Sequence, residues 1–132
     1  MDDGLVIDLS RMNNVWVDPN KKVARVGGGA TWGDVDHATY PFGLAAPGGV
    51  VSTTGVGGLT LGGGFGYLQR AHGLTCDRVR AVRMVRADGV AVRASADSEG
   101  DLFWALRGGG GSFGVATDRK STRLNSSHMS ES

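Results

Sequence analysis

The residues best placed to do chemistry in this chain are not acids or bases but the run Gly48–Gly66 (GGVVSTTGVGGLTLGGGFG). Nine of its nineteen residues are glycine and none is charged. Glycine loses the most backbone entropy on folding, so such density destabilises a fold unless the main chain must approach a ligand closely or adopt angles closed to other residues. Val50, Val51, Val56, Leu59, Leu61 and Phe65 are interleaved with the glycines, so the run is not a solvated linker. It reads as a buried loop wrapped against a large, partly apolar ligand, because a plain structural turn needs far fewer glycines.

The other candidate motifs are weaker. Gly109-Gly110-Gly111-Ser112-Phe113-Gly114 matches G-x-G-x-x-G. A Rossmann fingerprint requires a strand before it and a helix after it, so that a pyrophosphate meets a helix N-terminus. Here the predicted order is helix then strand, which argues against NAD, and no P-loop pattern occurs. His37 and His72 stand apart, with no cysteine or carboxylate cluster beside them, so no metal site is expected. Cys76 reads as a small buried hydrophobe, and as the only cysteine it excludes an internal disulfide. Asp8, Asp34, Asp77 and Asp101 each suit a turn or a cap, and no pair is placed for acid–base work.

The elements that must position the glycine run are short and mixed. Leu5–Leu9 has strand length and composition. Val15–Asp18 and Val23–Val26 suggest a hairpin turned at Pro19–Lys21. Thr31 stands three residues before Asp34 as a capping-box pair, opening a helix with Trp32, Val35 and Ala38 on one face and an end near Tyr40, before Pro41. Arg80–Val85 and Val90–Arg93 flank Ala87-Asp88-Gly89, a hairpin signal. Ser98 with Asp101 predicts a second capped helix, Glu99–Leu106, and Phe113–Thr117 a last strand. The fold class is α+β rather than a regular βαβ series.

At 132 residues, 40% hydrophobic and 20% charged, the chain has the size and composition of one globular domain. A net charge of +1 gives no reason to expect nucleic acid or an anionic membrane as partner. No run approaches the roughly 18 apolar residues of a membrane span. The composition leaves the compartment open. The last stretch, DRKSTRLNSSHMSES, is polar, glycine-free and aperiodic. Asp118–His128 resembles the conceptual translation of a short-read sequencing adapter. Residues 118–132 are therefore expected to be an artefactual, disordered tail, excluded from fold reasoning. The tail's Arg119, Lys120 and Arg123 against Asp118 and Glu131 account for the whole of the +1.

With the glycine run, Gly73–Val79 (GLTCDRV), the Ala-Asp-Gly turn and Asp101–Thr117 (DLFWALRGGGGSFGVAT) taken together, the chain resembles a known family over essentially all of Met1–Thr117. It is similar to the FAD-linked oxidases of the berberine bridge enzyme-like group, which carry a PCMH-type FAD-binding domain (the vanillyl-alcohol oxidase superfamily). The resemblance implies two α+β subdomains around an extended FAD. In these terms residues 1–117 form a partial FAD-binding domain, a truncated first subdomain plus most of the second, with the substrate domain absent. It assigns cofactor contacts to Gly48, Gly49, Val50, Thr54, Gly55, Gly57, Gly58, Gly62, Gly63, Gly64, Gly66 and Val115. It further implies hydride removal from an alcohol, amine or sugar onto FAD, with O2 as acceptor and hydrogen peroxide as product; the flavin carries the chemistry and the protein positions it.

Departures from the family pattern sharpen these expectations. The R-x-G-G-H segment, whose histidine often bonds the flavin, would precede Leu5 and is missing. The position of the cysteine that bonds flavin C6 in bicovalent members is Val51, which excludes that bond. Thr54, at the position associated with oxygen access, is close to valine in size and leans toward oxidase over dehydrogenase. Catalytic residues would lie in the missing substrate domain. The isolated chain is expected to bind FAD weakly and to be inactive. The reading from another class is a non-catalytic nucleotide-binding or glycine-rich structural module.

Overall fold

The computed structural model describes residues 3–46, 48–49, 51–64, 73–123 and 125–126. Strands β1 (Val15–Asp18) and β2 (Val23–Gly27) form the expected antiparallel hairpin, Val15 opposite Val26 and Asp18 opposite Val23. The Asp18 carboxylate closes the turn by accepting from the backbone N–H of Asn20 at 3.0 Å and of Lys21 at 3.1 Å. Helix α1 (Trp32–Thr39) starts at the expected capping box. The Asp34 N–H donates to Thr31 Oγ1 at 3.3 Å, and the Thr31 N–H donates to the Asp34 carboxylate at 2.9 Å. The helix buries Trp32, Val35 and Thr39, and the chain continues through Pro41 as a 3-10 turn, Tyr40–Phe42. The short strand β3 (Leu44–Ala45) follows.

Past the glycine run, a 3-10 turn at Thr75–Arg78 leads into β4 (Val79–Val85), which pairs with β5 (Ala91–Ser95). The connecting turn is the expected one: Gly89 donates its N–H to the Arg86 carbonyl and Arg86 donates to the Val90 carbonyl. Helix α3 (Gly100–Leu106) comes next, then β6 (Val115–Arg123) and a two-residue β7 (Asn125–Ser126) that pairs with β3. β6 enters the sheet between the two hairpins, so the order is β1-β2-β6-β4-β5 with antiparallel neighbours throughout. The last long strand to be made therefore joins the two halves.

Four expectations meet a different outcome. Leu5–Leu9 joins no strand among the described residues, and Leu5, Val6 and Ile7 are exposed, because a single extended segment without a ladder partner leaves its own N–H and C=O groups unpaired. Ser98 does not cap α3: it forms a β-bridge with Ser95, and Glu99, in a left-handed conformation, takes the cap position without a side-chain bond. The glycine run is not loop throughout, since α2 (Val56–Leu61) forms inside it. Finally, the segment expected to be disordered from residue 118 is strand as far as Arg123. Central placement explains it: between β2 and β4, the ladder offers partners to the backbone whatever the side chains are.

The core has two parts. Ala24, Val26, Ala30, Trp32, Val35, Leu44 and Val56 pack under α1. Leu61, Val79, Val82, Met84, Ala94, Phe103, Leu106 and Ala116 pack between α3 and the other half of the sheet. Gly27–Gly29 lies where three segments converge. Gly28 donates to the Thr117 carbonyl at 2.8 Å, and a Cβ on it would collide with the Ala116 carbonyl oxygen of β6. Because that carbonyl belongs to a central strand, it cannot yield cheaply. Gly28→Ala is expected to lower folding stability by more than about 2 kcal/mol in denaturant titration, whereas Thr31→Ala, which removes only the helix cap, should lower it by about 1 kcal/mol.

Candidate functional site

The glycine run is tied down at both ends by elements distant in sequence. On its N-terminal side, Trp32 donates its backbone N–H to the Thr54 carbonyl at 3.0 Å, Gly33 donates to Ser52 at 2.8 Å, and Val56 donates to Ala30 at 2.9 Å. Ser52–Val56 is thereby laid along the start of α1. On the C-terminal side, the Leu61 carbonyl accepts from Gly108 at 3.0 Å and from Gly110 at 2.8 Å. The orphan carbonyl at the end of α2 is thus satisfied by the second glycine cluster. Thr75 and Cys76 donate to Gly64 and Gly63 at 3.0 and 2.9 Å.

The glycines of the run do different jobs. At Gly48 a side chain would strike the Trp32 ring, and at Gly49 it would lie 2.8 Å from Leu59 Cδ1 and 3.1 Å from Trp32 Nε1. Gly64 has φ +74°, and a Cβ there would stand 2.7 Å from Thr75 Oγ1. Gly57 backs onto the Gly28 carbonyl at 3.0 Å, and Gly62 ends α2 by donating to Gly58. Gly63 also has positive φ. Internal packing or backbone shape accounts for all of these.

Gly55 and Gly58 are different. Both are exposed, neither has positive φ, and a Cβ at either meets nothing within 4 Å. Gly58 lies inside α2, where alanine would be more favourable by about 1 kcal/mol. Gly55 is the N-cap of α2, a place glycine suits, whereas no packing among the described residues calls for glycine at Gly58, which borders open space. α2 begins at Gly55 with no side-chain cap, and the N–H groups of a helix's first turn have no acceptor within the helix. Gly57 and Gly58 therefore present N–H groups beside an open volume, an arrangement that suits anionic oxygens.

Three buried polar atoms of the neighbourhood lack a hydrogen-bond partner among the described residues: Trp32 Nε1, Thr60 Oγ1 and Thr75 Oγ1. Trp32 Nε1 borders Gly49 and Thr75 Oγ1 borders Gly64. Free N–H groups, hydroxyl and indole groups without a partner among the described residues, and the partly buried Leu59 fit a group that combines a diphosphate with a flat, largely apolar ring system. FAD is such a group, and these residues fit it. The sequence pattern placed Trp32 only on an apolar helix face and did not single out Thr60 or Thr75; no residue-type signal distinguishes them from ordinary core positions.

Of the other residues singled out in the sequence, Val51 is half exposed at the rim, and Thr54 is half buried with its carbonyl bonded to Trp32. Val115 opens β6 opposite Val85, four residues up the strand from Arg119, the residue whose side chain touches Val56. At about 3.3 Å per residue that is about 13 Å along β6 from Arg119. Val50, Gly66 and His72 lie outside the described residues. His37 is exposed on α1, and no group of three or more metal-ligating side chains occurs among the described residues. Cys76 is buried, and desolvation raises its thiol pKa, as expected of a packing residue and not of a thiolate. A separate cavity of about 480 Å³ lies on the exposed face of the sheet between Trp16, Arg25, Arg83 and Arg93. Nothing from the glycine run lines it, and its Arg25–Asp118 ion pair at 2.8 Å is partly exposed to solvent, so it is not the site argued for here.

The fold and the glycine run thus fit a domain that binds a diphosphate-containing flavin cofactor. The chain belongs to the FAD binding domain family, whose model matches residues 1–95. It is 49% identical over 117 residues to an FAD-linked oxidoreductase of Aspergillus terreus, covering 89% of this chain and 24% of that protein. The crystal structure of 6-hydroxy-D-nicotine oxidase from Arthrobacter nicotinovorans superposes with a TM-score of 0.92 at 39% identity, covering 96% of this chain and 28% of the other. Two forms of the grass pollen allergen Phl p 4 superpose with a TM-score of 0.86 at 42% identity, over 92% of this chain and 25% of theirs. One is described as having glucose dehydrogenase activity; the other, an isoleucine-to-valine variant, is described as a glucose oxidase. The chain spans about a quarter of the length of these relatives. Its family is that of FAD-dependent oxidoreductases, and FAD is the cofactor.

The open space beside Gly58 gives a sharp expectation. Gly58→Ala should hold or raise the melting temperature, since it replaces a helical glycine by alanine without a clash, yet weaken FAD binding at least tenfold in a flavin-fluorescence titration. Gly64→Ala, strained by its positive φ and its contact with Thr75, should lower both stability and FAD binding.

Proposed function

We propose that the protein to which this chain belongs oxidises a small alcohol, amine or sugar by hydride transfer to FAD and returns the electrons to O2, releasing hydrogen peroxide. The observation that carries this reading is the unfilled volume at Gly55 and Gly58. A purely structural role for the glycine run leaves the helical glycine at Gly58, and the open N–H groups at the start of α2, without a reason among the described residues. Relatives named for a nicotine derivative and for glucose support an amine or a sugar as substrate class.

Bound FAD supplies a two-electron acceptor, and the chain's own residues do the rest. The N–H groups of Gly57 and Gly58 hold diphosphate oxygens without a charged side chain. Gly48, Gly49 and Gly64 keep the loop close against Trp32, Leu59 and Thr75, so that it cannot fill the cofactor's space. Val51, lacking a thiol, gives no thioether to the flavin. Val115, about 13 Å along β6 from Arg119, would meet a different part of an extended dinucleotide. Thr54 sets the width of the approach beside Gly55; that a valine-for-isoleucine change accompanies the oxidase description in the pollen protein supports a small side chain as the oxidase choice.

Two measurements test this reading. Titrated with FAD, the 132-residue chain should bind no more tightly than about micromolar, because it spans about a quarter of the length of its relatives. Tight stoichiometric binding would contradict that. In the protein expressed from its full gene, peroxide should appear with substrate turnover. Thr54→Ile should there slow flavin reoxidation by O2 about tenfold, equivalent to about 1.4 kcal/mol in barrier, while FAD content stays the same. Unchanged reoxidation would remove Thr54 from the account.

A further inference from the structure

One residue of β6 does not suit its place in the sheet. Arg119 is 1% exposed and is the largest fully buried side chain of the described residues. It stands on the central strand, opposite Val26 of β2 on one side and Val82 of β4 on the other, both buried. One guanidinium nitrogen donates to the Val56 carbonyl at 2.7 Å, while Nη2 is buried with no partner among the described residues. Neither of the carboxylate ion pairs among the described residues involves it. Burial pulls its pKa down to about 10, because desolvation disfavours the charged form. An arginine taken fully out of water is ordinarily paired.

The surroundings specify what the position is shaped for. Val26 belongs to one half of the core and Val82 to the other. α2 bridges the halves above them, Val56 packing in the first and Leu61 in the second. Position 119 sits at the junction, where an apolar side chain would make the two clusters continuous and a guanidinium divides them. Ala116, also buried on this strand, packs in the second cluster.

We infer that position 119 is a core position built for a large apolar side chain, and that the sequence from Asp118 onward is foreign to this fold. The adapter-like reading of DRKSTRLNSSH and the misfit of Arg119 are independent of each other. One concerns the order of residue types, the other the burial of a single charge. The backbone of the foreign segment still completes the ladder, because strand pairing depends on N–H and C=O groups and not on the side chain at 119.

Two experiments decide it. Reading the native gene across the Thr117–Asp118 junction should give an apolar codon at position 119; a native frame encoding Asp-Arg-Lys-Ser there would overturn the inference. In the 132-residue chain, Arg119→Met and Arg119→Leu should each raise the melting temperature by at least about 4 °C, since replacing a buried charge with a packed apolar group is stabilising. A cooperative transition in the variants where the parent shows none would support it equally. A lower melting temperature in both variants would overturn it. So would a folded variant that loses the FAD binding its parent shows, because Arg119 would then be serving an anion of the cofactor.

Discussion

The site depends on a helix that could not stand alone. α2 has six residues, two of them glycine, far below the length at which a helix is stable in water. It exists because its two ends are held by different parts of the molecule. Val56 is locked into the core under α1, and its N–H is bonded to Ala30. Leu61 is locked into the core under α3, and its carbonyl receives Gly108 and Gly110. With both ends fixed, the first turn can stay uncapped and glycine-lined on the side that faces open space. Intrinsic helix stability has been given up there for main-chain access.

Holding α2 in this way requires the rest of the sheet. Segments from residue 30 to residue 110 converge on the run, and they are brought into register by β6, which joins two hairpins that each form locally. Gly28, bonded to Thr117, ties the start of α1 to that strand. Gly27, Gly28, Gly29 and Gly109 outside the run serve close packing, while Gly55 and Gly58 within it have no side chain of the described residues against them. The abundance of glycine in the chain has several causes, close packing and left-handed backbone among them.

This division explains what could be read from residues alone. The capping box of Thr31 and Asp34, the hairpin at Pro19–Lys21 and the Asp-Gly turn at Gly89 were legible because each is set by contacts a few residues apart. α2 was not, because two glycines in six residues argue against a helix and only Val56 and Leu61, anchored in separate clusters, override them. Ser98 and Asp101 had cap spacing, but the bridge from Ser98 to Ser95 took the backbone elsewhere. Leu5–Leu9 had strand composition, but among the described residues it joins no ladder. At the site, the glycine run as a whole was evident; separating packing glycines from open ones needed the positions of Trp32, Leu59 and Thr75. Those belong to elements before, within and after the run, and no local pattern reports their convergence.

A backbone cradle with few charged groups is consistent with a flavoprotein domain, in which the cofactor brings the redox chemistry and the protein brings shape and oriented N–H groups. The claim at the centre of this account is that the opening of α2 receives the cofactor. Amide chemical shifts of the nitrogen-labelled chain, followed as FAD is added, test it most directly. The account predicts that the largest changes fall on Gly55, Gly57 and Gly58 and on the indole N–H of Trp32. Changes concentrated instead on the exposed sheet face, at Trp16, Arg25 and Arg83, with Gly55–Gly58 unmoved, would contradict it.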